Sequence, residues 1–269
     1  FTEALEAAVA LTVGAIPEGL PAVITITLAI GVSRMAKRNA IIRKLPAVET
    51  LGSATVICSD KTGTLTENQM TVQGIYASGH QYALTGVGYA PDGEILRDEK
   101  PVNLNSDKGL QETLLAGILC NDSQLEYKDD RWTVMGDPTE GALIASANKA
   151  GFNQDSLTRQ MPRIDTIPFE SDYQYMATLH STSAGKIIYV KGSVESILKR
   201  CSGMLNSEGQ KRPMDCVETL NQTSIEREVN IMARQGLRVL ALAKKNVPDS
   251  QNTVDHHDIE KGLVFLGLQ

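Results

Sequence analysis

From Val9 to Gly31 the chain runs for 23 residues with a single charge, Glu18. As a helix this stretch would be about 34 Å long, enough to cross a bilayer. Arg34, Lys37, Arg38, Arg43 and Lys44 follow at once, and such clustering marks the cytoplasmic side of a membrane span. A buried core helix is the bland alternative, but one of this length would rarely carry Pro17, Gly19 and Pro21 in its middle. A secretory signal would carry its basic residues ahead of the apolar run rather than after it. The pattern predicts one transmembrane helix over residues 1–33, with the chain after about residue 33 cytoplasmic. A carboxylate at membrane depth costs roughly 2.5–3.5 kcal/mol, so Glu18 is read as functional. Pro17 and Pro21 leave helical carbonyls free, and these with Glu18 make an all-oxygen site suited to a hard cation. A protonated structural Glu is the alternative.

Both ends look cut. Phe1 runs straight into a helical pattern, and residues 262–269 read as a strand with nothing after it, so the sequence reads as a piece of a longer chain. The rest is globular in character: 42% of the 269 residues are apolar and 22% charged, enough for a core. The net charge of -6 argues against a nucleic-acid partner. The cysteines at 58, 120, 201 and 216 form no C-x-x-C pair, which argues against zinc or a disulfide framework and fits a reducing compartment.

A short apolar run, Ala54 to Cys58, reads as a buried strand. Beyond residue 69 strands and helices alternate. Strands are expected at 71–76, 131–135, 163–169, 173–180, 186–191, 237–243 and 262–268, and helices at 109–120, 138–150, 194–201 and 224–235. Residues 173–180 and 186–191 form a hairpin and hence pair antiparallel. The helix at 138–150 is well punctuated, with Asp137 as N-cap, Pro138 at its first position and Gly151 past its end. Residues 85–108, rich in Gly, Pro, Asp and Asn, read as a long loop. Trp132 and Cys120 are expected in the core, and His256 and His257 in solvent.

The apolar run ends at Ser59-Asp60-Lys61-Thr62-Gly63-Thr64-Leu65-Thr66. Functional groups gather at the carboxyl ends of strands in open α/β sheets. A carboxylate there can act as a nucleophile and form an aspartyl phosphate. Lys61 adds positive charge, Thr62 and Thr64 add hydroxyls, and Gly63 lets backbone N–H groups approach a phosphate. An ordinary strand-to-loop turn fits the same letters. Asp60 to Thr66, however, resembles the signature of P-type ATPases. The resemblance implies that Asp60 takes the γ-phosphoryl group of ATP with magnesium present, that Lys61 and Thr62 belong to the catalytic loop, and that the Thr62 carbonyl helps Asp60 hold the metal. It also implies a partial phosphorylation domain over 34–68, Rossmannoid and similar to haloacid-dehalogenase-type phosphotransferases. Those phosphatases usually carry an acid two residues after the nucleophile. Thr62 stands there, and losing that acid/base group slows hydrolysis of the acyl phosphate.

Pro17-Glu18-Gly19-Leu20-Pro21 is similar to the broken fourth membrane helix of the same family, which makes Glu18 a ligand of the transported cation. Four further segments resemble the family's nucleotide-binding domain, placed at 69–269. Gly136 to Leu143 resembles a motif whose Glu, here Glu140, approaches adenine; the same letters make a good helix start. Pro168 to Asp172 resembles the segment whose Phe, here Phe169, stacks on adenine; a plain core Phe is the alternative. Lys191-Gly192-Ser193-Val194-Glu195 resembles a Lys-Gly element of the nucleotide pocket and departs from it at Ser193 and Val194. Gly236 to Ala241 resembles the segment whose Arg, here Arg238, contacts phosphates; alone, Arg238 reads as a solvated strand residue.

Pro21, and Thr85-Gly86-x-Gly88-Tyr89-Ala90-Pro91-x-Gly93, look like the calcium-pump group. The implied protein is an integral membrane, ATP-driven cation transporter, calcium favoured, with a sodium or other monovalent-cation pump as the alternative. Its partners would be ATP, the cation, the lipid membrane and further domains of the same pump. The piece alone is expected to bind ATP without turning it over. A soluble dehalogenase-type phosphatase predicts an acid at position 62 and no membrane helix; a purely regulatory nucleotide-binding module predicts that Asp60 is dispensable. The expected fold is α/β: an antiparallel sheet flanked by helices, joined to the partial phosphorylation domain and one membrane helix.

Overall fold

A computed structural model describes residues 2–14, 19–213 and 220–269, with the side chains of 220–223 left out. The chain divides into two compact units, Phe1–Leu65 and Thr66–Gln269.

The first unit holds α1 (Thr2–Gly14), α2 (Leu20–Ala36) and α3 (Ala47–Gly52). Thr12, Thr25 and Thr27 turn their hydroxyls back onto the carbonyls of Ala8, Pro21 and Val23 at 2.7–2.8 Å, which satisfies polar side chains on apolar helices. Among the described residues no helix is long and apolar enough to cross a membrane. Of the span expected over 9–31, residues 9–14 lie in α1 and 20–31 in α2, and residues 15–18 lie outside the described residues. The 17 residues of α2 reach about 26 Å. Pro17 and Glu18 lie outside the described residues.

The strand expected at Ala54–Cys58 is not formed. These residues are extended without pairing, and Val56 and Ile57 are 76% and 89% exposed. The physical reason is the lack of a partner: no strand is described in this unit, and an unpaired apolar run can neither close its hydrogen bonds nor bury its side chains.

The second unit is built on β1 (Gly74–Ala77), β2 (His80–Leu84), β3 (Ile95–Arg97), β4 (Lys100–Pro101), β5 (Gln124–Lys128), β6 (Arg131–Met135), β7 (Arg163–Glu170), β8 (Tyr175–Thr182), β9 (Gly185–Gly192), β10 (Cys201–Leu205), β11 (Lys211–Pro213), β12 (Ala241–Val247) and β13 (Leu263–Leu268). Its helices are α4 (Lys108–Leu119), α5 (Pro138–Lys149), α6 (Gln154–Gln160), α7 (Val194–Leu198) and α8 (Leu220–Arg234). The main sheet runs β4-β3-β2-β1-β13-β12-β9-β8-β7. Every pair along it is antiparallel, and β10 joins β13 in parallel and pairs with β11. This is the expected antiparallel sheet with helices. Residues 85–108, expected as a loop, carry the short strands β3 and β4, which are too brief to show a period. The hairpin of β8 and β9 turns through Ser183 and Ala184, with Thr182 opposite Gly185.

Alternation along the strands splits the core in two. Met176, Ile187, Tyr189 and Leu242 face one side and pack with α4 and α5. Tyr175, Ala177, Ile188, Val190 and Ala243 face the other and pack with α7 and α8. On α4 the stripe Leu110, Leu114 and Ile118 is at most 1% exposed. That four-residue spacing puts the three side chains on one face, each contributing about 1.5–3 kcal/mol by burial. Asp107 starts α4 by accepting the Leu110 N–H at 3.0 Å. Its carboxylate also takes the hydroxyls of Ser78 and Tyr82.

Candidate functional site

Four expected site residues lie at one end of the main sheet. Pairing puts Glu170, Tyr175, Gly192, Ala241 and Leu268 in one row across β7, β8, β9, β12 and β13. Phe169 immediately precedes Glu170, and Lys191 precedes Gly192. Arg238 comes three residues before β12 begins. Helix α5 starts at this same end, because Glu140 in its first turn reaches Lys191.

That contact organises the site. Lys191 is 6% exposed, and its ammonium donates to Glu140 Oε1 at 2.7 Å. A buried ammonium is tolerable only with such a partner. The other Glu140 oxygen accepts the Asp122 N–H at 3.1 Å and the Ser123 hydroxyl at 2.9 Å. The Glu140 carbonyl takes Asn121 Nδ2 at 2.9 Å. Cys120 lies in the same core; burial pushes its thiol pKa up, a shift that nearby Lys191 opposes.

The helix start is set locally. Asp137 Oδ1 accepts the N–H groups of Thr139 and Glu140 at 2.8 and 3.2 Å, with Pro138 in the first turn, so the expected cap is formed. Burial pulls the Asp137 pKa up, but hydrogen bonds from the Thr139 side chain and from the Glu140 and Thr139 N–H groups, with the Arg238 charge, outweigh it, and the net lies below the ordinary carboxylate value. The flanking glycines permit close approach. A Cβ at Gly136, whose φ is 122°, would collide with the Ser123 side chain, and one at Gly141 would sit 2.5 Å from Val134 Cγ2. A Cβ at Gly192 would lie 2.7 Å from that of Tyr175.

Phe169 is 57% exposed, so the core alternative is wrong for it. Its exposed ring lies on β7, two strands from Lys191 on β9. Arg238 is exposed and donates to the Thr139 hydroxyl at 3.5 Å. Glu140 stands in the first turn of α5, as the helix-start reading expects, and its carboxylate faces Lys191.

In the first unit, Asp60, Lys61 and Thr62 are exposed on the turn after Cys58. Asp60 Oδ1 accepts the Lys61 N–H at 2.7 Å. Gly63 has a φ of 76°, the left-handed conformation that favours glycine.

Three further residues, Asn121, Asp122 and Ser123, hold Glu140 without standing out in the sequence. Their signal was a polar Asn-Asp-Ser triplet closing α4, the sort of run that binds backbone locally. His256 is exposed, as expected, and it also stacks on Tyr173 at 4.2 Å and bonds the Tyr175 hydroxyl at 2.6 Å. Trp132 is only partly buried, beside Tyr127 on the small β5–β6 hairpin.

Residues 109–269 match the family described as P-type ATPase, cytoplasmic domain N. The chain belongs to the P-type ATPase family. It is 63% identical, over 99% of its length, to the cation-transporting ATPase pma1 of Synechocystis sp.. It is 39% identical, over 97% of its length, to a calcium-transporting ATPase of Bacillus subtilis. To calcium-transporting ATPase type 2C member 1 of Pongo abelii it is 45% identical over 87% of its length. The chain spans 29%, 29% and 25% of these relatives respectively.

Proposed function

We propose that this chain supplies the ATP-binding domain and the phosphoacceptor of a membrane cation pump that works through an aspartyl phosphate, with calcium as cargo. The observation that carries the reading is the buried Lys191–Glu140 pair at the sheet end that also presents Phe169 and Arg238. ATP needs a face for its base, an acceptor for its amine and cations for its phosphates. Phe169, Glu140, and Lys191 with Arg238 are of the matching types, and Gly192 lets the strand pack closely on Tyr175 next to the lysine.

Asp60 attacks the γ-phosphorus; the bond from that phosphorus to the bridging β–γ oxygen breaks, ADP leaves, and water later cleaves the acyl phosphate. Lys61 offsets the charge of the incoming phosphate. Thr62 in place of an acid prolongs the intermediate. Among the described residues no group of three or more His, Cys, Asp or Glu could hold a metal ion. Magnesium fits nonetheless, since it is commonly held by one or two carboxylates together with substrate phosphates. The Asp60 carboxylate and the Thr62 carbonyl would hold it, and the ion would neutralise phosphate charge. We assign residues 1–33 to the membrane, with Glu18 on the transported cation, residues 34–68 to the phosphorylation domain, and the chain after about residue 33 to the cytoplasm. Phosphorylation would then bias a two-state membrane domain.

Calcium rests on Pro21, on the Thr85–Gly93 pattern and on the names of two relatives. The Synechocystis relative is named only for cations, which keeps sodium as the second reading. The test is labelling of the full-length protein with γ-labelled ATP. Calcium-dependent label that hydroxylamine removes, and that Asp60→Asn abolishes, is expected. Label that survives Asp60→Asn contradicts the proposal, and label that needs sodium moves the cargo to sodium.

A further inference from the structure

Glu140 is aimed by three residues that have no regular structure of their own. Asn121, Asp122 and Ser123 connect the end of α4 to β5, and each bonds Glu140. Arg163, at the start of β7, grips this turn. Its guanidinium donates to the Leu119 carbonyl at 3.2 Å, to the Asn121 carbonyl and to Asp122 Oδ1. A planar, forked donor suits three oxygens spread along a turn, and a lysine does not. The Leu119 carbonyl is one that α4 leaves unpaired at its end, where a cation is also favoured by the helix dipole. The ion pair to Asp122 contributes little by itself, because Asp122 is 56% exposed. The grip works through the two carbonyls. Beside it a cleft of about 230 Å³, lined by Ser123, Gln154, Arg163 and His180 among others, gives the turn room to shift once the guanidinium is gone.

We infer that Arg163 is a positioning residue for the nucleotide site, acting through the 119–123 turn on Glu140 and thence on Lys191. The inference rests on the nucleotide reading above. The plain alternative is that Arg163 only caps α4. A cap changes stability alone, whereas a positioning residue changes ATP affinity, and only while Glu140 is there to be positioned.

The experiment is a double-mutant cycle in the whole chain, with ATP titrated calorimetrically at a temperature where every variant is folded. Arg163→Ala should raise the Kd about three- to tenfold, Arg163→Lys should fall between it and the unsubstituted chain, and the effect of Arg163→Ala should shrink to within about twofold in a Glu140→Gln background. The Asp122 amide resonance should move in Arg163→Ala without nucleotide. If Arg163→Ala leaves the Kd unchanged while Lys191→Ala weakens binding, the inference fails and the nucleotide reading stands. An equal effect of Arg163→Ala with and without Glu140 also overturns it, in favour of a simple cap. If the unsubstituted chain binds no ATP, the nucleotide reading fails and this inference with it, whatever the amide shows.

Discussion

Residues 66–269 bury a lysine inside a sheet that finds a partner for every one of its strands, whereas no described residue between 2 and 65 is buried at all. Yet the most specific letters of the chain, Asp60 to Leu65, lie in the less buried region. The contrast separates two kinds of information. A reactive motif is a local property of side chains and can be read without a fold. A strand is a property of its neighbours, and Ala54–Cys58 has none among the described residues.

The sharpest way to test this contrast is Asp60→Asn. In the full-length protein it should abolish phosphoenzyme formation, while ATP affinity of the present chain stays within about twofold, since the folded unit does not depend on the motif. Affinity that collapses with Asp60 would break the comparison.

Next in size is Glu140→Ala, which leaves the Lys191 ammonium buried without its partner. It should destabilise the second unit by about 3–5 kcal/mol in urea unfolding. A matched Val56→Asp in the exposed run should change stability by no more than about 0.5 kcal/mol. Comparable losses at the two sites would contradict the division.

His180 gives a pH lever confined to the second unit. Burial, with Met161 opposing, holds its pKa at about 4 against an ordinary 6.5. The unfolded chain therefore takes up a proton that the folded chain refuses. Stability should fall by about 3 kcal/mol as pH drops from about 6.5 to about 4. His180→Gln should remove that part of the slope, as equilibrium unfolding at several pH values would show. An unchanged slope would mean that His180 takes up its proton equally in the folded and the unfolded chain.

The smallest expected effect on stability belongs to Phe169→Ala. An exposed ring contributes little to folding, so stability should move by no more than about 0.5 kcal/mol. ATP binding should nevertheless weaken by about 1–3 kcal/mol, the usual worth of a base on an aromatic face. A large stability loss without an affinity change would return Phe169 to the core.

Much of the second unit was legible because its signals are local. Asp137, Pro138 and Gly151 frame α5, and the run from Tyr173 to Val190 shows the β8–β9 hairpin by its alternation. What escaped was either too short to carry a period, as in β3 and β4, or decided across the fold. Lys191 and Glu140 were each picked out, but 51 residues apart in sequence nothing said that they pair. Arg163 was invisible for the same reason, since its partners lie 41–44 residues away. These partners meet where a helix or a turn packs on the sheet, and that packing is not written in any one segment.

The central claim is that the sheet end around Lys191 is a nucleotide site. Calorimetric titration of ATP into the chain, beside Lys191→Ala, tests it most directly. The account predicts saturable binding that Lys191→Ala weakens at least about tenfold. No binding at millimolar ATP by the folded chain, or equal binding by the variant, would contradict it.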